Sequence, residues 1–346
     1  MCRFAGETDS SYQAVFRSIE RIAKAFNDKS RARGQRIDME RTSVRSSLRS
    51  FDDYEKSCVA LFRPFDISDY QSSLTRAADD TCEWILNHPV FVSWLAKSES
   101  ALLWLRGHPG CGKTVLSCYL ANRFQSEKSP FAPQSVWVFF CDEKISTQRN
   151  ANAVLLGLIY QAICQHRSLI RHVKKAFDVQ GQNLTRSFSA LWRICLAIMS
   201  DPKCGPTWVI IDALDECEPS TRRILLDSIH GLLAGSSPAI GIQNCVKFIL
   251  ASRPTITVFP ETGTAVKPIA DYRISIDEDK EGYPKALRAF ILQRVAEISQ
   301  RLNFTVDMTA FLRENLLSQA GETFLWVHIM LATFGKQSAR VEASPP

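Results

Sequence analysis

The sequence predicts an α/β protein in which a parallel sheet is flanked by helices. Three features predict this fold class. Apolar runs of strand length recur between residues 101 and 276, segments with apolar residues at helical spacing separate them, and a glycine-rich loop joins the first run to the first of these segments. Short continuous apolar strands that alternate with helices are typical of parallel sheets covered on both faces.

The composition is that of an ordinary globular protein. The 346 residues are 45% apolar and 23% charged, and they are enough for about two domains. The eleven cysteines occur singly, which argues against a disulfide framework or a zinc ribbon and favours a reducing compartment. The first ten residues lack the apolar core of a secretory signal, and the apolar stretch 323–334 is shorter than a membrane span. We therefore expect a cytoplasmic protein without a transmembrane segment.

The positive charge belongs to the N-terminal region. Residues 1–50 carry eleven Lys and Arg against six Asp and Glu, nearly the whole net charge of +6. The remainder has no excess of basic residues for a nucleic-acid backbone, so no nucleic-acid partner is predicted. Residues 12–27 show an amphipathic helical pattern, which favours a partner helix. An anionic membrane or nucleic-acid surface is the open alternative for this basic helix.

The glycine-rich loop has the pattern of a phosphate-binding loop (P-loop). The stretch GHPGCGKT fits G-x-x-x-x-G-K-[ST], follows the apolar run 101–105 and precedes the helical pattern of 115–124. Its glycines let consecutive backbone N–H groups point at a phosphate, and the following helix N-terminus adds attraction. The predicted nucleotide-binding residues are Gly107, His108, Pro109, Gly110, Cys111, Gly112, Lys113 and Thr114.

Two side chains of this loop have a predicted role in binding a nucleotide with Mg²⁺. Lys113 is expected to bridge the outer phosphates, and Thr114 to give its hydroxyl to the metal. Cys111 has two interpretations. It is either a reactive thiol near a helix N-terminus or a small residue that fills a variable position, and the second is favoured.

A strand that ends in a carboxylate follows the P-loop by about a hundred residues. The run WVIID ends in Asp212, at the edge where open α/β sheets place their ligands, so Asp212 is predicted as a second Mg²⁺ anchor. Asp215 and Glu216 come next. Either one orients the attacking water, or both are anions that favour the start of a helix predicted over 220–233. The catalytic interpretation is favoured, with Glu216 slightly ahead.

Three further apolar strands are predicted, at 135–141, 246–251 and 272–276. Arg253 follows the second of them, at the strand edge, and is expected to contact the terminal phosphate and sense its presence. A surface arginine before the turn residue Pro254 is the other interpretation. The aromatic segment 81–95 is predicted to be core. Further helices are predicted over 151–165, 189–199, 283–299, 308–318 and 321–334, and His328 in the last one is predicted as a core or edge histidine.

Six segments together resemble the NACHT nucleotide-binding domain of fungal NOD-like receptors, in the nephrocystin-like subgroup. They are TCEWIL, GHPGCGKT, WVFFCDE, WVIIDALDEC, ILASRP and GETFLWV, between about residues 80 and 334. The resemblance implies a P-loop fold of the signal-transduction NTPase class, with five parallel strands in the order 5-1-4-3-2. It implies that Lys113 and Thr114 belong to the Walker A motif and that Asp212 is the Walker B anchor. Asp215 and Glu216 are then the acidic pair after it, and Arg253 is the sensor arginine.

The resemblance also implies an organisation into regions. They are a helical N-terminal region of unassigned role at 1–79, the nucleotide-binding domain at 80–278, a helical lid at 279–335 and a disordered tail at 336–346. The implied function is a nucleotide-dependent switch in NOD-like receptor signalling and innate immunity. It binds ATP or GTP with Mg²⁺, hydrolyses it slowly, and contacts protein partners or itself through its helical regions.

Two other function classes stay open. One is a truncated interaction scaffold that does not hydrolyse nucleotide, and the other is a catalytic P-loop ATPase or kinase. A fast motor usually has its catalytic glutamate directly after the Walker B aspartate. Ala213 stands there instead, which disfavours the motor class.

Overall fold

The computed structural model describes residues 51–63, 81–125, 133–235, 244–259, 270–319 and 323–331. These residues belong to the compact unit Phe51–Pro346. The amphipathic pattern predicted over 12–27 and the tail predicted at 336–346 lie outside the described residues. The division into regions stays a prediction.

One parallel sheet runs through the described residues. Its strands are β1 Ala101–Arg106, β2 Ser135–Phe140, β3 Thr207–Asp212, β4 Val246–Ser252 and β5 Tyr272–Ser275. Their order is β2-β3-β4-β1-β5, and each neighbouring pair is parallel. This is the expected order 5-1-4-3-2 read from the opposite edge. The predicted α/β fold class is confirmed.

Helices precede, separate and follow the strands along the chain. They are α1 Asp53–Phe62, α2 Trp84–Asn87, α3 Pro89–Ala96, α4 Lys113–Phe124, α5 Ala151–Gln165, α6 Ile170–Gln180, α7 Phe188–Met199, α8 Pro219–Leu233, α9 Gly282–Arg301 and α10 Val306–Gln319. Residues 324–331 form a further helical segment, called α11 below. Within the part of the chain that the structure describes, no helix has the length and apolar character needed to cross a membrane.

Local sequence explains where several helices begin. The Asn150 side chain accepts a hydrogen bond from the Ala153 N–H and so caps α5. Pro89 stands at the first position of α3, because its ring cannot continue α2 but fits a helix start. Helix α6 was not predicted, although Ile170, Val173 and Phe177 recur in it at helical spacing.

The predicted aromatic core lies where α3 and α4 meet β3. The ring centroids of Phe124 and Trp208 are 3.9 Å apart, and those of Trp94 and Trp208 are 5.7 Å apart. Phe91 stacks on Phe124 with centroids 6.5 Å apart. These large rings are buried, and they anchor the helix that carries the end of the P-loop against the sheet.

Strand β4 buries a lysine against the end of α3. Lys247 is 4% exposed, and its Nζ donates to the carbonyl oxygens of Trp94 at 2.6 Å, Leu95 at 2.9 Å and Lys97 at 2.6 Å. The last carbonyls of a helix have no partner within the helix, so Lys247 satisfies them and joins α3 to the sheet. Burial lowers the pKa of Lys247 to about 8.

Lys247→Met is expected to lower the free energy of unfolding by about 2 kcal/mol, because it leaves these carbonyls without their donor. Urea unfolding at pH 7 measures the change. Lys97→Met is the matched control: Lys97 Nζ lies 3.5 Å from the carboxylate of Glu99 in a half-exposed pair, so its loss should cost less than about 0.5 kcal/mol.

The pH dependence measures the burial of the Lys247 ammonium. The folded-state pKa of Lys247 lies below its ordinary 10.5, so the folded protein holds fewer protons than the unfolded chain between about pH 8 and 10.5. The parent should therefore gain stability relative to Lys247→Met as the pH rises through this range. A variant as stable as the parent at pH 7 would contradict the capping role.

Candidate functional site

The predicted P-loop lies between β1 and α4, at the carboxyl end of the sheet. Gly110 and Gly112 have φ values of +82° and +91°, in the left-handed region that favours glycine. Helix α4 begins directly after Gly112, at Lys113, two residues before the predicted start. Lys113 Nζ donates to the carbonyl oxygens of Gly107 at 2.7 Å and His108 at 3.0 Å, so the ammonium lies along the loop.

Asp212 and Thr114, predicted as the metal residues, are in direct contact. Thr114 Oγ1 donates to Asp212 Oδ2 at 2.6 Å, and Ser117 Oγ donates to Asp212 Oδ1 at 2.8 Å. Burial raises the pKa of Asp212, and the two hydroxyl hydrogen bonds oppose that rise. Ser117 was not predicted. It follows Thr114 by three residues in α4, so helical spacing would have placed it on the same face.

Asp215, Glu216 and Arg253 meet where β3 and β4 end. Arg253 Nε lies 3.0 Å from Asp215 Oδ2, and Arg253 Nη2 lies 3.8 Å from Glu216 Oε1. Burial and then the negative charge of Asp215 raise the pKa of Glu216. Both acidic residues lie in the 3-10 turn Leu214–Glu216, and α8 begins later, at Pro219. They are therefore not the first-turn anions of that helix.

Cys111 is buried against the start of the loop. Its side chain is 2% exposed, and a Cβ atom added at Gly107 would lie 2.5 Å from its sulfur. Burial raises the pKa of the Cys111 thiol. A protonated, inaccessible thiol is a poor nucleophile, so the structure supports the interpretation as a small residue that fills space.

These residues surround a cavity of about 380 Å³, a volume within the range of small-molecule sites. Pro109 to Thr114 form one wall, and Asp212, Asp215, Glu216 and Arg253 form another. Gly107 and His108 do not line it. Trp84, Tyr283 and Phe290 also line the cavity and form an aromatic wall.

Asp277 holds the start of the loop in place. Its Oδ2 accepts the backbone N–H of His108 at 2.8 Å and lies 3.9 Å from His108 Nε2. The sequence contains no local signal for this contact, because Asp277 follows β5 and meets the loop only through the pairing of β5 with β1. Asp277 is a residue of the site that sequence reasoning missed.

Helix α11 lies directly on the P-loop. The Leu325 N–H donates to the Gly110 carbonyl at 3.3 Å, and a Cβ atom at Gly110 would lie 2.6 Å from the Leu325 Cβ. The Phe324 ring packs edge-on against Tyr283 at 5.5 Å between centroids. His328, predicted as a core or edge residue, is exposed and lines the cavity.

The comparison with known families covers this site. Residues 80–253 match the family model described as Nephrocystin 3, N-terminal. The chain belongs to this family. All the residues of this chain that are predicted to bind nucleotide or metal, or to act in catalysis, lie within the matched range.

A curated relative supports the same assignment. The vegetative incompatibility protein HET-E-1 of Podospora anserina is 32% identical over 255 residues, which are 73% of this chain and 18% of that protein. The chain therefore spans less than a fifth of that relative. Together with the family match, this similarity confirms the resemblance to NACHT proteins of the fungal NOD-like receptor type.

Proposed function

We propose that this chain is a nucleotide-dependent switch that binds ATP or GTP with Mg²⁺ and works in NOD-like receptor type signalling. The contact between Thr114 and Asp212 carries the proposal. It brings a hydroxyl and a buried carboxylate, which are 98 residues apart in sequence, to within 2.6 Å beside the P-loop cavity. Mg²⁺ prefers such oxygen ligands, together with phosphate oxygens and water. When bound, the metal would neutralise charge on the outer phosphates.

The remaining walls of the cavity suit the other parts of a nucleotide. The Lys113 ammonium donates to two loop carbonyls in this structure. It can donate to outer phosphate oxygens instead when nucleotide is bound. The aromatic wall of Trp84, Tyr283 and Phe290 offers an apolar surface to a purine ring. The site thus combines a cation, the P-loop backbone and aromatic rings in one cavity.

Slow hydrolysis is part of the proposal. Glu216 lines the cavity, and its raised pKa makes it a better proton acceptor for an attacking water than an ordinary carboxylate. Arg253 is the cation that would contact the terminal phosphate. Its guanidinium is paired with Asp215 in the described structure, so a phosphate would have to compete for it.

Helix α11 is the element that would report the nucleotide state. It touches the P-loop at Gly110, and its Phe324 packs on Tyr283 of α9. A ligand shifts a conformational equilibrium only by the difference in its affinity for the two states. Phosphates that reposition the loop would change the α11 contact, and this change would pass to the C-terminal helices.

The test is a thermal shift with Mg-ATP and Mg-GTP. At a nucleotide concentration of about a hundred times Kd, binding should stabilise the parent by about 2.7 kcal/mol, and Lys113→Ala should remove this stabilisation. Lys203→Ala is the matched control, because Lys203 is exposed and lies before the amino end of β3.

The outcomes separate the candidate functions. The nucleotide that gives the larger shift identifies the preferred ligand. Equal shifts in the parent and in Lys113→Ala would refute the P-loop assignment. Absence of a shift with either nucleotide in the parent would favour the interaction scaffold.

A further inference from the structure

The two acidic residues after β3 have unequal contacts with Arg253. Both carboxylate oxygens of Asp215 contact Arg253: Oδ1 accepts the Arg253 backbone N–H at 2.9 Å, and Oδ2 lies 3.0 Å from Arg253 Nε. Glu216 has a single, longer approach of 3.8 Å to Nη2. The Asp215 side chain is 9% exposed, whereas that of Glu216 is 30% exposed. Asp215 is therefore the main carboxylate partner of Arg253, and Glu216 is the carboxylate that solvent and ligand can reach more easily.

The backbone around Asp215 is fixed independently of this ion pair. Arg222 Nη1 donates to the carbonyl oxygens of Asp215 and Cys217, both at 3.0 Å, from the first turns of α8. Ala213 has a φ of +52°, which turns the chain sharply after β3. Because the turn is held in this way, an Arg253 side chain that shifts towards a bound phosphate leaves Asp215 behind.

We infer that Asp215 is a latch that holds the Arg253 guanidinium at the cavity wall until the γ-phosphate of a triphosphate takes the guanidinium from it. This inference rests on the proposed function. Arg253 is 46% exposed, so a ligand in the cavity can reach its guanidinium and compete for it. The γ-phosphate of a triphosphate is charged and offers the bidentate geometry that arginine binds well. A diphosphate lacks this group and leaves the latch closed.

The latch makes Asp215 a positioning residue with a measurable signature. Asp215→Asn keeps an oxygen that can accept the Arg253 N–H, but it removes the charge that holds the guanidinium. The Kd for a non-hydrolysable triphosphate with Mg²⁺ should fall about fivefold, the change expected for an exposed ion pair. The Kd for the diphosphate should stay unchanged. A role in folding alone would not alter one affinity and spare the other.

Two controls accompany this titration. Glu278→Gln removes a carboxylate from another pair at the same edge of the sheet, in which Glu278 Oε2 lies 3.1 Å from Arg106 Nη2, and it should leave the affinity ratio unchanged. In the Arg253→Ala background, Asp215→Asn should give no gain, because no guanidinium remains to be released. Asp215→Ser repeats the test if the Asn variant does not fold, since its hydroxyl also accepts a hydrogen bond.

Weaker triphosphate binding in Asp215→Asn would show that Asp215 directs Arg253 towards the phosphate, and it would overturn the latch. Unchanged triphosphate binding, or a gain that survives in the Arg253→Ala background, would overturn it too. If the parent binds neither nucleotide, the proposed function fails first. The two failures are distinguishable, because the proposed function fails when the parent does not bind nucleotide, whereas the latch can fail only in a parent that does.

Discussion

Glu216→Gln is expected to keep nucleotide affinity and to lower the rate of hydrolysis by about a hundredfold, the usual effect of losing a general base. Gln has the size and shape of Glu but cannot accept the proton of an attacking water. Burial and the charge of Asp215 raise the pKa of Glu216, which brings its basicity closer to the working pH. Single-turnover hydrolysis of bound ATP or GTP measures the rate, and titration measures the affinity.

Glu218→Gln is the matched control for this substitution. Glu218 stands two residues later and pairs with Arg149 at 3.2 Å, and it is not among the residues that line the cavity. Its loss should leave hydrolysis within about twofold of the parent rate. Hydrolysis that is unchanged in Glu216→Gln would remove Glu216 from the mechanism.

Asp212→Asn is expected to weaken Mg²⁺-dependent nucleotide binding by about ten- to a hundredfold while leaving the nucleotide-free protein at least as stable as the parent. The folded-state pKa of Asp212 is raised above its ordinary 3.8, so the folded protein binds this proton more tightly than the unfolded chain. Parent stability therefore falls as the pH rises from the ordinary pKa through the raised one. The neutral amide of Asn avoids the free-energy cost of burying a charged carboxylate at pH 7.

The local hydrogen bonds also allow this substitution. The hydroxyls of Thr114 and Ser117 donate to Asp212, but a hydroxyl can also accept, so both can rearrange around an amide. Melting temperatures without nucleotide, with Mg-nucleotide and with nucleotide plus EDTA separate the two effects. Asp227→Asn is the control, because Asp227 is exposed in a 3.9 Å pair with Arg223. Intact Mg²⁺ dependence in Asp212→Asn would contradict the metal role.

By itself the sequence determined the architecture and most of the candidate site. Glycine spacing in the P-loop, strand-length apolar runs and the position of Asp212 at a strand end are local features, and local features report backbone geometry directly. Because carboxyl ends of parallel strands share one edge, the sequence also placed Thr114, Asp212 and Arg253 near one another. Helix α6 was missed even though Ile170, Val173 and Phe177 at helical spacing are a local signal of the same kind.

Only the tertiary structure decided how these residues share their contacts. The register of β3 with β4 brings Asp215 closer than Glu216 to Arg253. The pairing of β5 with β1 brings Asp277 to the loop, and the return of the chain at α11 places Leu325 on Gly110. Lys247 caps α3 across more than a hundred residues of sequence. Such contacts depend on strand register and helix docking, which hydrophobic periodicity does not encode, since it specifies which face is buried and not what lies against it.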